Sequence, residues 1–133
     1  MCLSISVNNP SNVLEKGEFS GFQYVITHNF MGFRCGYVRV PSGHSFHGSA
    51  DHDGVLDVHG GITFAEADVP CDAPGDDSAW WLGFDCGHYL DSPDPSLPGC
   101  THSLASAFYD GEIRDTDYVR GECESLAAQL AAL

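Results

Sequence analysis

An α+β fold is what this sequence predicts, with residues 1–133 forming a single domain. An antiparallel or mixed sheet of about four to six strands would carry a C-terminal helix on one face. Three observations point there. A chain of 133 residues is the length of one domain and long enough to bury a real core. Short runs of β-branched and aromatic residues alternate with Gly, Pro and Asn clusters. Near the end, Val119, Cys123, Leu126, Leu130 and Leu133 recur at helical spacing.

In chain order, Asn8 to Asn12 reads as a turn, and Val13 to Gly17 as one helical turn ended by the glycine. Phe22 to Thr27 is a strand by its β-branched and aromatic content. Phe33 to Val40 is a second strand, stopped by Pro41, and the two form a hairpin. Gly36 inside that strand suggests a bulge or a close approach by another element. Pro41 to Gly54 is a loop holding three histidines and two aspartates. Val55 to His59 and Ile62 to Phe64 read as short strands around Gly60-Gly61. Glu66 to Ser78 is an acidic surface loop, and Trp80 to Cys86 a central strand. Asp91 to Gly99, with three prolines, excludes helix and inner strand. Thr101 to Tyr109 fits either a short helix or a strand. Asp115 or Thr116 caps the last helix, with Glu112 and Asp117 near its positive end. Arg120 and Glu124 form an i,i+4 pair on that helix, and Gly121 weakens it.

The formal charge is −14, and between Arg39 and Arg114 there are 13 acids and no Lys or Arg. Such a surface repels nucleic-acid backbones and anionic membranes, so neither is an expected partner. Met1 to Ser6 lacks the basic start and apolar run of a signal peptide, and no segment is apolar enough to span a bilayer. The expectation is a cytoplasmic protein. The six cysteines contain no Cys-x-x-Cys and read as reduced, buried small hydrophobes.

Three constellations could carry chemistry. The first is a divalent metal site drawn from His44, His47, Asp57, His59 and His88, since imidazole plus carboxylate suits zinc, iron, manganese or nickel. No standard ligand motif is present, and exposed loop histidines bind nothing in many proteins. The second is metal-free acid–base catalysis by His59, Asp85 and His88, with Asp85 orienting one of the histidines. Cys86 is a conceivable nucleophile, although the acidic surroundings disfavour a thiolate. The third is a pocket for a nucleotide-like small molecule, built from Tyr37, His44, His59, Gly60, Gly61, Trp81, Asp85 and His88. Of Trp80 and Trp81, one would line the core and the other a cleft. No phosphate loop or dinucleotide fingerprint occurs, so a phosphate would rely on Arg34, Arg39, backbone amides or a metal.

Four pieces form a distinctive set: Gly36-Tyr37-Val38-x-Val40-Pro41-x-Gly43-His44, Asp57-Val58-His59-Gly60-Gly61-Ile62-Thr63, Trp80-Trp81-x-Gly83-Phe84-Asp85-Cys86-x-His88 and Tyr118-Val119-x-x-Glu122-Cys123-x-x-Leu126. Over residues 36–133 the chain resembles a group of small uncharacterised proteins of tailed phages and prophages. It departs from that group at Ser45, where a proline is frequent, so the loop there differs. The resemblance implies an anti-defence role, sequestering or degrading a nucleotide signal in the host cytoplasm. The leading expectation is therefore a small-ligand binding protein. The alternatives are a metal-dependent or His/Asp hydrolase of a phosphodiester or glycosidic bond, and an acidic interaction protein. A homo-oligomer is left open.

Overall fold

The computed structural model describes residues 12–67, 79–98 and 111–133. The fold is α+β: a five-stranded antiparallel sheet with one C-terminal helix packed across a face of it. The strands are β1 (Val13–Phe19), β2 (Phe22–His28), β3 (Arg34–Pro41), β4 (Phe64–Ala67) and β5 (Ala79–Asp85), in sheet order β1-β2-β3-β5-β4. Two-residue strands β6 (Asp91–Ser92) and β7 (Glu112–Ile113) pair in parallel beside it, and α1 runs Thr116–Ala131. Among the described residues, no helix is long and apolar enough to cross a membrane.

Residues 13–17 are not a helical turn but the start of β1. Ser20 (φ 52°) and Gly21 (φ 84°) both take positive φ, so the two-residue turn matches the twist of a hairpin and brings Phe19 opposite Phe22. That turn compels pairing in a strand whose own residues, Glu15, Lys16 and Gly17, favour strand weakly. Tyr24 lies over Gly17 and donates its hydroxyl to Glu15 Oε2 at 3.0 Å. Glu15 in turn accepts two hydrogen bonds of 2.6 Å from Arg120, clamping the edge strand to α1. Arg120 is thus committed to Glu15 and Asp117, not to Glu124 as helical spacing suggested.

The expected hairpin of the second and third strands is present, with Tyr24 opposite Val38 and Thr27 opposite Cys35. Gly36 marks no bulge. A Cβ there would strike the Phe84 ring and Cys123 Sγ, so the glycine lets α1 sit close against β3 and β5. Strand parity divides the residues into two sets. Tyr24, Ile26, Val38, Val40, Leu82 and Phe84 face α1, whose Val119, Cys123, Leu126, Ala127 and Leu130 complete the main core. Val25, Cys35, Tyr37 and Trp81 cluster on the opposite face. Leu133, expected to extend the apolar stripe, lies beyond the helix end and is exposed.

The chain between β3 and β4 is irregular. Val55 to His59 is therefore not a strand, and Ile62-Thr63 precede β4 instead of belonging to it. Leu56 and Val58 nevertheless enter the core, so their apolar alternation reports burial without sheet pairing. Side chains hold this segment along α1: His44 Nε2 meets the Leu130 carbonyl oxygen at 2.7 Å, and Gln129 bonds both the amide and carbonyl of Asp57 at 2.7 Å. Asp51, at φ 54°, accepts from the Val55 and Leu56 amides. Glu66 and Ala67 belong to β4, while the rest of the expected acidic loop, and the undecided stretch from Thr101 to Tyr109, lie outside the described residues.

Candidate functional site

The site is built around Asp91, whose side chain is fully buried. Its turn is unusual: Leu90 takes φ 74°, a conformation that a branched residue adopts only under constraint. The constraint is local. The Asp91 amide donates to the His88 carbonyl at 3.0 Å, and the Leu90 carbonyl accepts from the Glu112 amide at 2.9 Å. Gly111 passes so close beneath Leu90 that no Cβ would fit. Arg34, itself buried, bonds Asp94 at 3.0 Å, the Arg114 carbonyl at 3.1 Å and Thr116 Oγ1 at 3.1 Å. One guanidinium thereby ties the segment after β6 to the start of α1.

Four groups converge on this frame. Asp91 Oδ2 accepts from His59 Nε2 at 2.7 Å and from the His88 amide at 3.0 Å, and Asp91 Oδ1 accepts from Arg114 Nε at 2.9 Å. Burial acts to raise the Asp91 pKa, but the hydrogen bonds from His59, Arg114 and the His88 amide outweigh it and hold the carboxyl below the usual carboxylate range. An ionised carboxylate only accepts hydrogen bonds, so His59 presents Nε2–H to it. In the neutral ring Nδ1 is then an acceptor, and it faces the Tyr118 hydroxyl at 2.8 Å. The result is a line from Asp91 through His59 to Tyr118. The Arg114 guanidinium lies 4.9 Å from the centre of the Tyr118 ring. Burial, reinforced by Glu122 and opposed by Arg114, raises the tyrosine pKa, so the group at the end of the line is a neutral phenol.

A second pair lies alongside. His88 Nε2 is 3.3 Å from Asp85 Oδ1, close enough for charge interaction, yet that nitrogen is buried and has no hydrogen-bond partner among the described residues. The pair is near but not aligned. Asp85 is instead bonded by the Thr63 hydroxyl at 3.0 Å and the Gly87 amide at 3.1 Å. The His59 and His88 rings are 6.0 Å apart, centre to centre. Gly60, at φ 70°, has no room for a Cβ because the His88 imidazole occupies that space. About a third of the His88 and Asp85 side chains is exposed, against 13% for His59. His88 and Asp85 therefore form the open side of the site.

His59, Gly60, Asp85 and His88 come together, with Gly61 adjoining at φ 80°. Tyr37 and Trp81 lie on the sheet face away from α1, both buried. Trp80 is half-buried and donates Nε1–H to the Ser49 carbonyl at 2.9 Å. His44 is used at the other end of α1, its Nε2 on Leu130 and its Nδ1 accepting from the Phe46 amide. His47 packs 6.2 Å from Trp80, and the Asp57 backbone is held by Gln129. Among the described residues, no three His, Cys, Asp or Glu side chains are grouped as a metal site would require. The Cys86 thiol is pushed up first by burial and then by Asp91, which opposes thiolate chemistry. Cys35 and Cys123 are likewise buried free thiols, pushed up to about 11 and about 12.

Sequence reasoning missed Asp91, Arg114, Tyr118 and Thr63. One signal was available: Arg114 is the first cation after an acidic span beginning beyond Arg39, so a nearby acid had to be its partner. Nothing in the spacing identified Asp91 as that acid, because the turn at Leu90 creates the meeting. Together these side chains define an α+β domain with a paired His/Asp site at one end of its sheet. None of the protein-family models, curated proteins or solved structures compared with this chain matches it.

Proposed function

We propose that this protein is a metal-independent acid–base hydrolase of a phosphodiester, with a small nucleotide as substrate. The observation that carries the reading is the placement of His59 and His88 at 6.0 Å, each beside an aspartate. Ring centres at that distance are in contact range, so the two acid–base systems border one another, Asp91–His59 from the buried side and His88 with Asp85 from the more exposed side. Asp91–His59 is the buried acid–base system, and His88 acts from the open side. A glycosidic bond suits the site less. Glycoside hydrolysis needs two carboxyl groups flanking the bond, and Asp91 is buried and spent on His59 and Arg114. Simple sequestration suits it less too, because Tyr37 and Trp81, expected as stacking surfaces, are buried in a cluster of their own. An expected kinship with small phage proteins makes cyclic and linear nucleotide signals of a host cell the substrates to try.

The test is turnover of a p-nitrophenyl diester of a nucleoside monophosphate, and of cyclic dinucleotides, by the full chain in the presence of a chelator. Hydrolysis is expected to persist with chelator and to fall about 10²–10⁴-fold in His88→Ala, whose side chain is the less buried of the two histidines. Unchanged turnover in folded His88→Ala, or activity that disappears with chelator, would overturn the reading.

A further inference from the structure

We propose that Tyr118 is the nucleophile of this reaction and that hydrolysis passes through a covalent phosphotyrosyl intermediate. The inference rests on the phosphodiester reading and deepens it. Its basis is a three-group line. A buried carboxylate holds one nitrogen of a histidine at 2.7 Å, and the other nitrogen faces a hydroxyl at 2.8 Å. That is the relation of orienter, base and nucleophile, with a phenol where a serine hydroxyl would serve. Both nitrogens of His59 are taken, so His59 has no nitrogen left to activate a water directly. Its only route to substrate is through the Tyr118 oxygen. A neutral phenol needs a base at the moment of attack, and His59 Nδ1 is in place to be that base. Tyr118 occupies the first turn of α1, where its amide is held by Asp115 Oδ1 at 2.8 Å and its ring lies under Arg114. The attacking oxygen is therefore positioned by backbone and packing as well as by the base.

The steps balance. The Tyr118 oxygen attacks phosphorus, its proton passing to His59 Nδ1, while the bond from phosphorus to the leaving oxygen breaks and that oxygen takes a proton from the His88 imidazolium. Water then attacks the phosphotyrosine and yields its proton to His88. The phosphorus–tyrosine bond breaks, and the phenolate recovers its proton from His59. One water is consumed, one ester bond is cleaved, and both histidines return to their starting states.

The experiment has two arms on the full chain. A p-nitrophenyl nucleoside phosphodiester mixed in excess should release an initial burst of nitrophenol approaching one equivalent. Acid quench and peptide mapping should place a phosphoryl adduct on Tyr118. Hydrolysis of a P-chiral phosphorothioate diester in isotopically labelled water should proceed with net retention at phosphorus, whether or not the intermediate accumulates. Tyr118→Phe keeps the ring beneath Arg114 and should lose turnover by a hundredfold or more, together with the adduct. Inversion at phosphorus, an adduct on another residue, or undiminished turnover in Tyr118→Phe would overturn the nucleophile while leaving the hydrolase reading intact. No turnover by the unaltered chain would overturn both.

Discussion

Gly60 and Gly61 separate two effects that adjacent residues usually confuse. Both take positive φ, at 70° and 80°, but only Gly60 abuts another side chain, the His88 imidazole. Gly61→Ala should cost about 1–2 kcal/mol from the left-handed backbone alone. Gly60→Ala should cost that plus roughly 1–3 kcal/mol of overpacking, and should displace His88. Urea denaturation of both variants checks this, and combining Gly60→Ala with His88→Ala should recover the difference between them. Equal midpoints for the two single variants would mean that His88 moves aside freely. At this scale the sequence was legible in types and not in partners. The structure brings the His59 and His88 rings together and leaves Asp85 3.3 Å from His88 Nε2. The carboxylate that holds His59 is Asp91, 32 residues away. No local pattern predicts that pairing, because Leu90 must be forced to φ 74° before Asp91 turns inward.

The start of α1 is the element on which the site depends most. Asp115 is its N-cap, and the amide it holds belongs to Tyr118. Asp115→Ala should cost about 1 kcal/mol of stability. It should also loosen the Tyr118 hydroxyl from His59, since the capped amide and the hydroxyl share a residue. A shift in the urea midpoint and a fall in turnover larger than the stability change explains are the expected readings. An unchanged midpoint would show that Arg34, through Thr116 and the Arg114 carbonyl, secures the turn by itself. The helix was the most legible element, because its apolar spacing and its acidic cap are local signals. β1 was hidden for the opposite reason. Glu15, Lys16 and Gly17 carry weak strand preference, and pairing comes from the Ser20-Gly21 turn and the Tyr24–Glu15–Arg120 clamp.

Across the whole molecule, acid should act through particular carboxylates. Asp91, Asp94 and Glu15 all have pKa values below the usual carboxylate range in the folded chain. Desolvation opposes the shift at Asp91 and Asp94, where hydrogen bonds outweigh it, and a hydrogen bond from Arg120 is the first cause at Glu15. A depressed folded pKa means that the unfolded chain takes up protons first. The stabilisation is present above about pH 4, the unfolded carboxylate value, and is lost as pH falls through the lower folded values. Urea midpoints measured from pH 6 to pH 2.5 should therefore decline below about pH 4. Asp94→Asn should start lower and decline less, and an identical decline in that variant would remove Asp94 from the account. The formal charge of −14 works in the opposite sense, since protonation relieves self-repulsion, so the comparison between variants is the reliable reading.

The sequence by itself determined the α+β class, the C-terminal helix with its buried face and the interior strand that carries Trp80 and Trp81. Each of these rests on periodicity, local propensity or neighbours a few residues apart. Only the tertiary structure decided that Tyr37 and Trp81 are buried on the face away from α1, because which face the helix covers depends on how it packs. Only it decided that His44 serves the far end of α1, and that Asp91, Arg114 and Tyr118 complete the site. Those contacts join residues 23 to 86 positions apart. They exist only where a strained turn, a two-residue strand pair and a helix cap are packed together.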